Sequence, residues 1–422
     1  MRLAIFIDRV ELIMQKIIKS APHRPVLSIV LLVTAAVIVP VDSAVAQDWG
    51  FKPTIAVGAE YDDNATLNIR TDEEVELQGY LFDLGAVISY ASPKSKFSFE
   101  PLWRSRNYAD EPDFDSDDVF LRSRYAYIGT ANQFGFRVNF DSQAIRTAER
   151  SDSDLEIEDP EEIPENDSGR TFRNGSRDSL RFVPYWRYQI SDTSSFGATI
   201  RYVDATYDEQ LVQVLNDFTD LRLNLDYRRD VSAVTTLVYG GTVRDYESED
   251  ADAGIKGYGI FGGFDRAMSS TIRMEARIGA EKTNTPDVKT DPEIVGSIGL
   301  TRKIKTINLF AQYRRSIQAS GTRSLSIRDQ ISLNFRRRLS EKISAGLGVR
   351  AYKSRGFGDG STIDDRNYVQ LHASVRWYLI PTFTIETEYR YTVLDRVGIS
   401  EGSNSNRVNL WFTWRPNTTA LN

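Results

Sequence analysis

The chain has 422 residues, a formal net charge of −7 and no cysteine. The lack of cysteine excludes a disulfide framework and a thiolate metal site, and the acidic balance disfavours nucleic acid as a partner. Histidine is limited to His23 and His372. Because His23 lies in a predicted leader, catalysis that needs imidazole has one candidate in the mature chain.

The segment 1–46 has the three-part pattern of an export signal. An apolar core, VLSIVLLVTAAVIV at 26–39, precedes the small-residue cleavage motif AVA at 44–46 and follows three basic residues, Lys16, Lys19 and Arg24. We therefore predict a signal peptide over 1–46 and a mature chain from Gln47, with Met14 as an alternative start. Removal of 1–46 leaves 47 basic and 56 acidic residues, a net charge of −9.

Beyond the leader, apolar residues recur with a period of two, which is typical of β-strands and not of helices. In VNLWFTW at 408–414, Val408, Leu410, Phe412 and Trp414 share one face. Such segments are about ten residues long, the length of a tilted strand that crosses a bilayer. Each has one apolar and one charged face. Because strands of a soluble sandwich also alternate, the connections decide between the two folds.

The connections alternate between short and long. Short ones include TAN at 130–132 and IPT at 380–382, whereas AERSDSDLEIEDPEEIPENDSGR at 148–170 is a long acidic loop. Tight turns at one end and long loops at the other are typical of outer-membrane barrels. We predict an all-β fold, a transmembrane antiparallel up-and-down β-barrel of about 18 strands that forms one domain over 47–422.

Arginine concentrates on the polar faces of the predicted strands. An Arg that faced lipid at mid-depth would cost about 2–4 kcal/mol, so these faces are expected to point into a water-containing lumen. The residues predicted to line the lumen are Arg104, Arg106, Arg122, Arg124, Arg137, Arg181, Arg187, Arg273, Arg277, Glu386, Glu388 and Arg390. Rings of arginine favour anionic solutes, but the same side chains can form a structural network with lumenal carboxylates. The sequence leaves both interpretations open.

The segment EYDDNATL at 60–67 ends the first predicted strand. Tyr61 suits an aromatic girdle at the membrane–water boundary. Asp62, Asp63 and Asn64 suit a turn out of the membrane, because Asx side chains form hydrogen bonds with their own backbone. The alternative for these three residues is a cation-binding rim, since carboxylates are ligands for hard cations.

Motifs with enzymatic associations occur in the wrong context. GISEG at 398–402 has the nucleophile-elbow spacing but lies in a predicted loop and not at a strand-to-helix turn. GYGIFG at 257–262 has the dinucleotide spacing but lies within a predicted strand and does not open a helix. His372, on a polar strand face, is expected to line the lumen. We predict no catalytic residue, no metal, no cofactor and no enzyme activity, with a barrel lipid hydrolase as the weaker alternative.

EYDDNATL, the strands rich in tyrosine and arginine, and the aromatic last strand NRVNLWFTWRP at 406–416 together resemble the β-barrel porin 2 family. The resemblance implies a bacterial outer-membrane barrel associated with exopolysaccharide systems. It implies contact with outer-membrane lipid and lipopolysaccharide, with the insertion machinery of that membrane, and with a polysaccharide or secretion-complex partner. The chain departs from many such barrels in one respect, because Trp414 is followed by RPNTTALN where they finish on an aromatic residue.

Two functional hypotheses follow from the pattern and the resemblance. The first is a porin-like channel whose Arg-lined lumen passes anionic or sugar solutes, with a link to exopolysaccharide export. The second is a non-conducting structural or docking barrel of a polysaccharide secretion complex, plugged by the acidic loop or by the N-terminal segment.

Overall fold

The computed structural model describes residues 48–68, 74–150, 175–208, 215–248, 254–284, 291–322, 325–356, 365–396, 402–416 and 419–420. The predicted signal peptide and most of the acidic loop at 148–170 lie outside the described residues. Within them, no helix is long and apolar enough to cross a membrane.

The described residues form long antiparallel strands, because alternating apolar and polar side chains suit a sheet with two different faces. The first nine strands are Asp48–Asp62 (β1), Leu77–Ala91 (β2), Ser95–Tyr108 (β3), Ser116–Ile128 (β4), Asn132–Ala144 (β5), Ser176–Ser191 (β6), Ser194–Tyr207 (β7), Phe218–Ser232 (β8) and Thr235–Ser248 (β9). The next nine are Ile255–Ala267 (β10), Ile272–Asn284 (β11), Glu293–Ile304 (β12), Ile307–Ala319 (β13), Leu325–Arg338 (β14), Ile343–Gly356 (β15), Arg366–Ile380 (β16), Phe383–Arg396 (β17) and Ser403–Trp414 (β18).

The sheet closes on itself between its first and last long strands. Each strand pairs with its neighbours in sequence, and β1 pairs with both β2 and β18, from Ile55 opposite Trp414 to Asp62 opposite Arg407. A short strand, Thr419–Ala420 (β19), pairs with the start of β1. The predicted antiparallel up-and-down barrel of about eighteen strands is therefore confirmed.

The two ends of the barrel differ in their connections. At the short-turn end, as we call it, β12 and β13 are joined by a turn between Ile304 and Ile307. At the opposite, long-loop end, the connection between β3 and β4 contains a 3-10 helix, Pro112–Phe114. Strands therefore leave the barrel through tight turns at one end and through longer segments at the other, as the sequence predicts.

Contacts between strands that are not neighbours identify the inner face. Nη1 of Arg244 on β9 donates to the carbonyl oxygen of Ile317 on β13 at 3.1 Å, and the Tyr246 hydroxyl donates to the carbonyl oxygen of Ser320 at 3.1 Å. The strands β10, β11 and β12 separate β9 from β13, so only side chains on the concave face can meet in this way. Because alternate residues of a strand share a face, the register then assigns the inner face of every strand.

The outer face is apolar and aromatic. Ile260 on β10 and Ile278 on β11 are 74% and 67% exposed. Exposed outward aromatic residues lie near both ends of the barrel: Tyr61, Tyr80 and Tyr258 toward the long-loop end, and Trp186, Trp377 and Trp414 toward the short-turn end. An apolar belt between two aromatic girdles is typical of barrels that span a membrane.

Candidate functional site

The register places the predicted lining residues on the inner face. The guanidinium group of Arg104 on β3 lies 5.1 Å from the ring of Trp411 on β18, although β1 and β2 lie between these strands. The full set lies on β3 (Arg104, Arg106), β4 (Arg122, Arg124), β5 (Arg137), β6 (Arg181, Arg187), β11 (Arg273, Arg277) and β17 (Glu386, Glu388, Arg390). Their role in solute passage stays a prediction.

Several inner-face arginines form ion pairs with carboxylates on adjacent strands. Arg104 binds Asp83 through two hydrogen bonds, both of 2.7 Å. Arg376 on β16 donates two hydrogen bonds to one carboxylate oxygen, Oε2 of Glu386 on β17, at 2.9 and 2.7 Å. Paired, planar guanidinium–carboxylate contacts of this kind fix side-chain orientation. This part of the inner surface therefore has the structural network that the sequence left open as one interpretation.

A longer chain of ion pairs runs around the wall from β6 to β11. Arg187 and Arg228 share the carboxylate of Asp226, at 3.4 and 2.9 Å. Arg228 and Arg277 share Asp265, at 3.3 and 2.6 Å. Because this chain contains more guanidinium groups than carboxylates, it leaves a net positive charge on the inner wall.

Arg122 and Arg273 differ from these paired residues. Both are exposed on the inner face, and among the described residues neither has an ion-pair or hydrogen-bond partner. An exposed guanidinium without a protein carboxylate keeps its donors available to water and solutes. The inner surface thus combines a paired network with arginines that face the lumen.

A segment that continues β5 folds across the lumen at the long-loop end. It starts with helix α1, Ile145–Ala148, and we call residues 145–150 the strap. Nη2 of Arg146 donates to the Tyr108 hydroxyl at 2.7 Å, and that hydroxyl donates to Glu60 at 2.5 Å. Burial alone would lower the pKa of Arg146, but Tyr108 and Glu60 raise it above its ordinary value.

The end of the strap is held on the far side of the lumen. Nη1 of Arg150 donates to Asp62 at 2.9 Å and to the carbonyl oxygen of Ala65 at 3.0 Å, and Nη2 donates to the Ser405 hydroxyl at 2.9 Å. The Tyr368 hydroxyl on β16 donates to the carbonyl oxygen of Arg150 at 2.7 Å. The strap therefore leaves the wall at β5 and reaches β1, β16 and β18.

The strap also contacts the strands that follow β5 and an apolar cluster inside the barrel. The Glu149 carboxylate accepts hydrogen bonds from Arg177 at 2.8 Å and from the Tyr207 hydroxyl at 3.1 Å. Ile145 is 1% exposed and belongs to an apolar cluster with side chains from β7 to β10, β13 and β14. The strap is thus anchored to several sides of the barrel, and it partitions the lumen near its long-loop end.

The predicted rim residues Asp62, Asp63 and Asn64 make the turn after β1. The amide of Asn64 donates to the Asp62 side chain at 3.1 Å, which is the Asx turn expected from the sequence. Asp63 accepts hydrogen bonds from the backbone and side chain of Asn406 at 2.6 and 2.7 Å. No group of three or more acidic or histidine side chains among the described residues is arranged to hold a metal ion. Cation binding at this rim stays a prediction.

The same turn inserts Leu67 into the lumen. Leu67 has a φ of 49°, which is uncommon for a residue with a side chain. It is 3% exposed and packs with Tyr352, Tyr368 and Leu394, and the two tyrosine rings stack at 4.8 Å. This packing offsets the backbone strain and gives the long-loop end a second inward segment.

Sequence reasoning assigned Glu149 and the residues after it to a long loop, with a plug formed by that loop as one alternative, but it did not identify the strap. The described start of that loop turns inward. The feature of the sequence that could have indicated the strap is the set of charged residues in IRTAER at 145–150. The partners of these charges, Glu60, Asp62 and Arg177, are far away in the sequence. Only the closed barrel brings these residues together.

No family model matches the chain. No curated protein matches it either. Solved structures with a similar fold include OccK3 (OpdO) of Pseudomonas aeruginosa, with 8% identity, a TM-score of 0.44 and coverage of 88% of this chain and 96% of that one. The outer membrane channel DcaP of Acinetobacter baumannii has 14% identity, a TM-score of 0.43 and coverage of 89% and 99%.

Proposed function

We propose that the chain is a bacterial outer-membrane channel that passes anionic or sugar solutes through its arginine-lined lumen. The observation that carries the proposal is that single strands separate apolar from charged residues. On β11, Ile278 faces outward and is 67% exposed, while Arg273 and Arg277 face the lumen. An arginine turned toward hydrocarbon is costly, so only a water-containing interior suits this arrangement.

The outer surface supports a location in the outer membrane. A closed barrel satisfies every backbone donor and acceptor of its wall without water, as a membrane requires. In barrels of this membrane the tight turns lie in the periplasm and the long loops lie outside the cell. The short-turn end is accordingly periplasmic, and the strap lies near the extracellular end.

The membrane belt has a direct test in Ile260, at the centre of β10. Ile260→Arg should destabilise the folded barrel in lipid vesicles by about 2–4 kcal/mol, the cost of Arg at mid-depth. The measurement is denaturant unfolding from vesicles. The control is Thr236→Arg on the inner face of β9. It places the same side chain near the short-turn end and close to the carboxylate of Asp230, away from lipid, so it should change stability much less. Equal stability of both variants would contradict the assigned belt.

Channel function is tested by conductance across a planar bilayer. Because the strap crosses the lumen, we expect rare, brief openings of the wild-type protein and a preference for anions during each opening. The triple variant Arg122→Ser, Arg124→Ser and Arg181→Ser should move the reversal potential in a salt gradient toward cations. Arg229→Ser, on the outer face of β8, should leave it unchanged.

The outcomes separate the two parts of the proposal. An unchanged reversal potential in the triple variant would contradict the claim that these arginines line the pore and set its anion preference. If neither the wild type nor variants with a weakened strap conducted ions at any voltage, the proposed channel function would be contradicted.

The strap also favours a second candidate, a non-conducting docking barrel of a polysaccharide secretion complex. Buried ion pairs on several sides of the lumen suit a permanently closed scaffold, and the resemblance to the β-barrel porin 2 family supplies the link to exopolysaccharide. If this candidate is correct, deletion of the gene will abolish polymer export while the purified barrel stays non-conducting. Export that is unaffected by deletion would exclude it.

A further inference from the structure

A cavity of about 1040 Å³ opens at the short-turn end, between the inner faces of β8 to β13. We call it the vestibule. Turn residues from Ser232 to Thr235 border it, and Arg228, Arg273, Arg277 and Gln312 are among its wall residues. Its size is at the upper limit of pockets that enclose small ligands, which are typically about 300–1,000 Å³.

A glycine beside the vestibule makes room for one of its acidic side chains, Glu275. Gly299 on β12 lies opposite Glu275 in the register, and a Cβ atom there would lie 2.9 Å from Oε1 of Glu275. Glycine therefore lets the neighbouring acidic side chain lie along the wall.

The charge of the vestibule is positive but mixed. Its inner-face side chains include Arg228, Arg273, Arg277 and Arg314 against Asp230, Asp265 and Glu275. Asp265 is bound by Arg228 and Arg277, so the guanidinium groups of these two arginines are already engaged in ion pairs. Arg273 is exposed and has no ion-pair partner among the residues that the structure describes. It is the guanidinium group best placed to bind a ligand.

We propose that the vestibule binds a carboxylate-bearing saccharide that enters from the short-turn end. The fork of Arg273 matches a carboxylate in two parallel hydrogen bonds. Gln312, Ser297 and Thr236, which also border the cavity, supply amide and hydroxyl groups for sugar hydroxyls. Glu275 and Asp265 repel a phosphate dianion more strongly than a single carboxylate, so the mixed charge favours a uronate.

The location of the vestibule indicates from which end of the barrel a ligand enters. The strap partitions the lumen near the long-loop end, whereas the vestibule opens at the short-turn end. Its assignment to the periplasmic side rests on the proposed outer-membrane location. A ligand would then be bound from the periplasm before any passage outward, the order that export requires.

The test is calorimetric titration of the full barrel in detergent, which does not depend on conductance. The probes are a galacturonate disaccharide and its methyl ester, in which each charged carboxylate is replaced by a neutral ester that carries one extra methyl group. We expect the acid to bind at least about tenfold more tightly than the ester, a difference of about 1.4 kcal/mol. Equal binding of the two, or no binding of the acid, would overturn the proposal.

Variants locate the site. Arg273→Gln should weaken binding of the acid by at least about tenfold, and Arg273→Lys should recover part of it, because lysine keeps the charge but loses the fork. Arg229→Gln, on the outer face of β8, should bind the acid like the wild type. Retained tight binding in Arg273→Gln would place the ligand elsewhere. A barrel that binds the acid but never conducts would uphold the vestibule and reject the channel.

Discussion

An Arg150→Ala variant is expected to open far more often than the wild-type barrel in single-channel recordings. Arg150 and Asp62 are 1% and 0% exposed in their side chains, and breaking such a buried pair typically costs about 3–5 kcal/mol. Asp62 keeps Arg407 and Ser405 as partners, so the penalty is smaller in this case. Even about 1.4 kcal/mol would raise the ratio of open to closed strap about tenfold.

The measurement is the open probability at a fixed voltage. Tyr368→Phe, which removes only the hydroxyl that holds the Arg150 carbonyl, should give a smaller change in the same direction. Arg355→Ala is the matched control, because it breaks an ion pair with Glu293 at 3.2 Å that is exposed and away from the strap. Exposed pairs contribute about 0.2–1 kcal/mol. Equal open probabilities in all these variants would show that the strap does not limit conduction.

The barrel itself was predictable because its determinants are local. A period of two assigns each side chain to one of two faces, and the cost of charge in hydrocarbon decides which face is inside. Arg273 and Ile278 on β11 illustrate both steps. The strand count followed from turn chemistry, which is also encoded in a few adjacent residues, such as the sequence TAN at 130–132.

The interior could be predicted only in part, because it depends on register and on contacts across the lumen. The pairing of Arg104 with Asp83 needs the alignment of β2 with β3, which alternation alone leaves open by steps of two residues. The strap needs more, since Arg150 binds both Asp62 on β1 and Ser405 on β18, which become neighbours only when β1 and β18 close the barrel. The acidic turn after β1 was correctly interpreted as an Asx turn, but its role as an anchor for the strap was not visible in the sequence.

Gly263→Ala is expected to destabilise the barrel strongly, although the change adds one methyl group. A Cβ atom at Gly263 would overlap the backbone carbonyl oxygen of Ala276 on β11 and approach Cδ of Arg277 at 2.8 Å. A backbone atom of a paired strand cannot move aside, so β10 and β11 would have to separate locally. Overpacking of this kind typically costs about 1–3 kcal/mol, and sometimes more.

Gly262→Ala, one residue earlier on the same strand, is the matched control. A Cβ atom there would have its nearest neighbour, a ring carbon of Tyr239, at 3.7 Å, an ordinary contact on the outer face. Among the described glycines only Gly175 has a left-handed φ, so backbone conformation does not distinguish the two positions. Gly262→Ala should therefore be neutral or stabilising by about 0.4–1 kcal/mol, through the lower entropy of its unfolded chain.

The two variants are compared by urea unfolding in detergent micelles and by the fraction of folded barrel that keeps its faster gel mobility without heating. We expect Gly263→Ala to unfold at a lower urea concentration than the wild type, and Gly262→Ala at the same or a higher one. If both variants were equally stable, the register that pairs Gly263 with Arg277 would have to shift. That shift would also displace Asp265 from Arg277 and break the chain of ion pairs on which the positive inner wall depends.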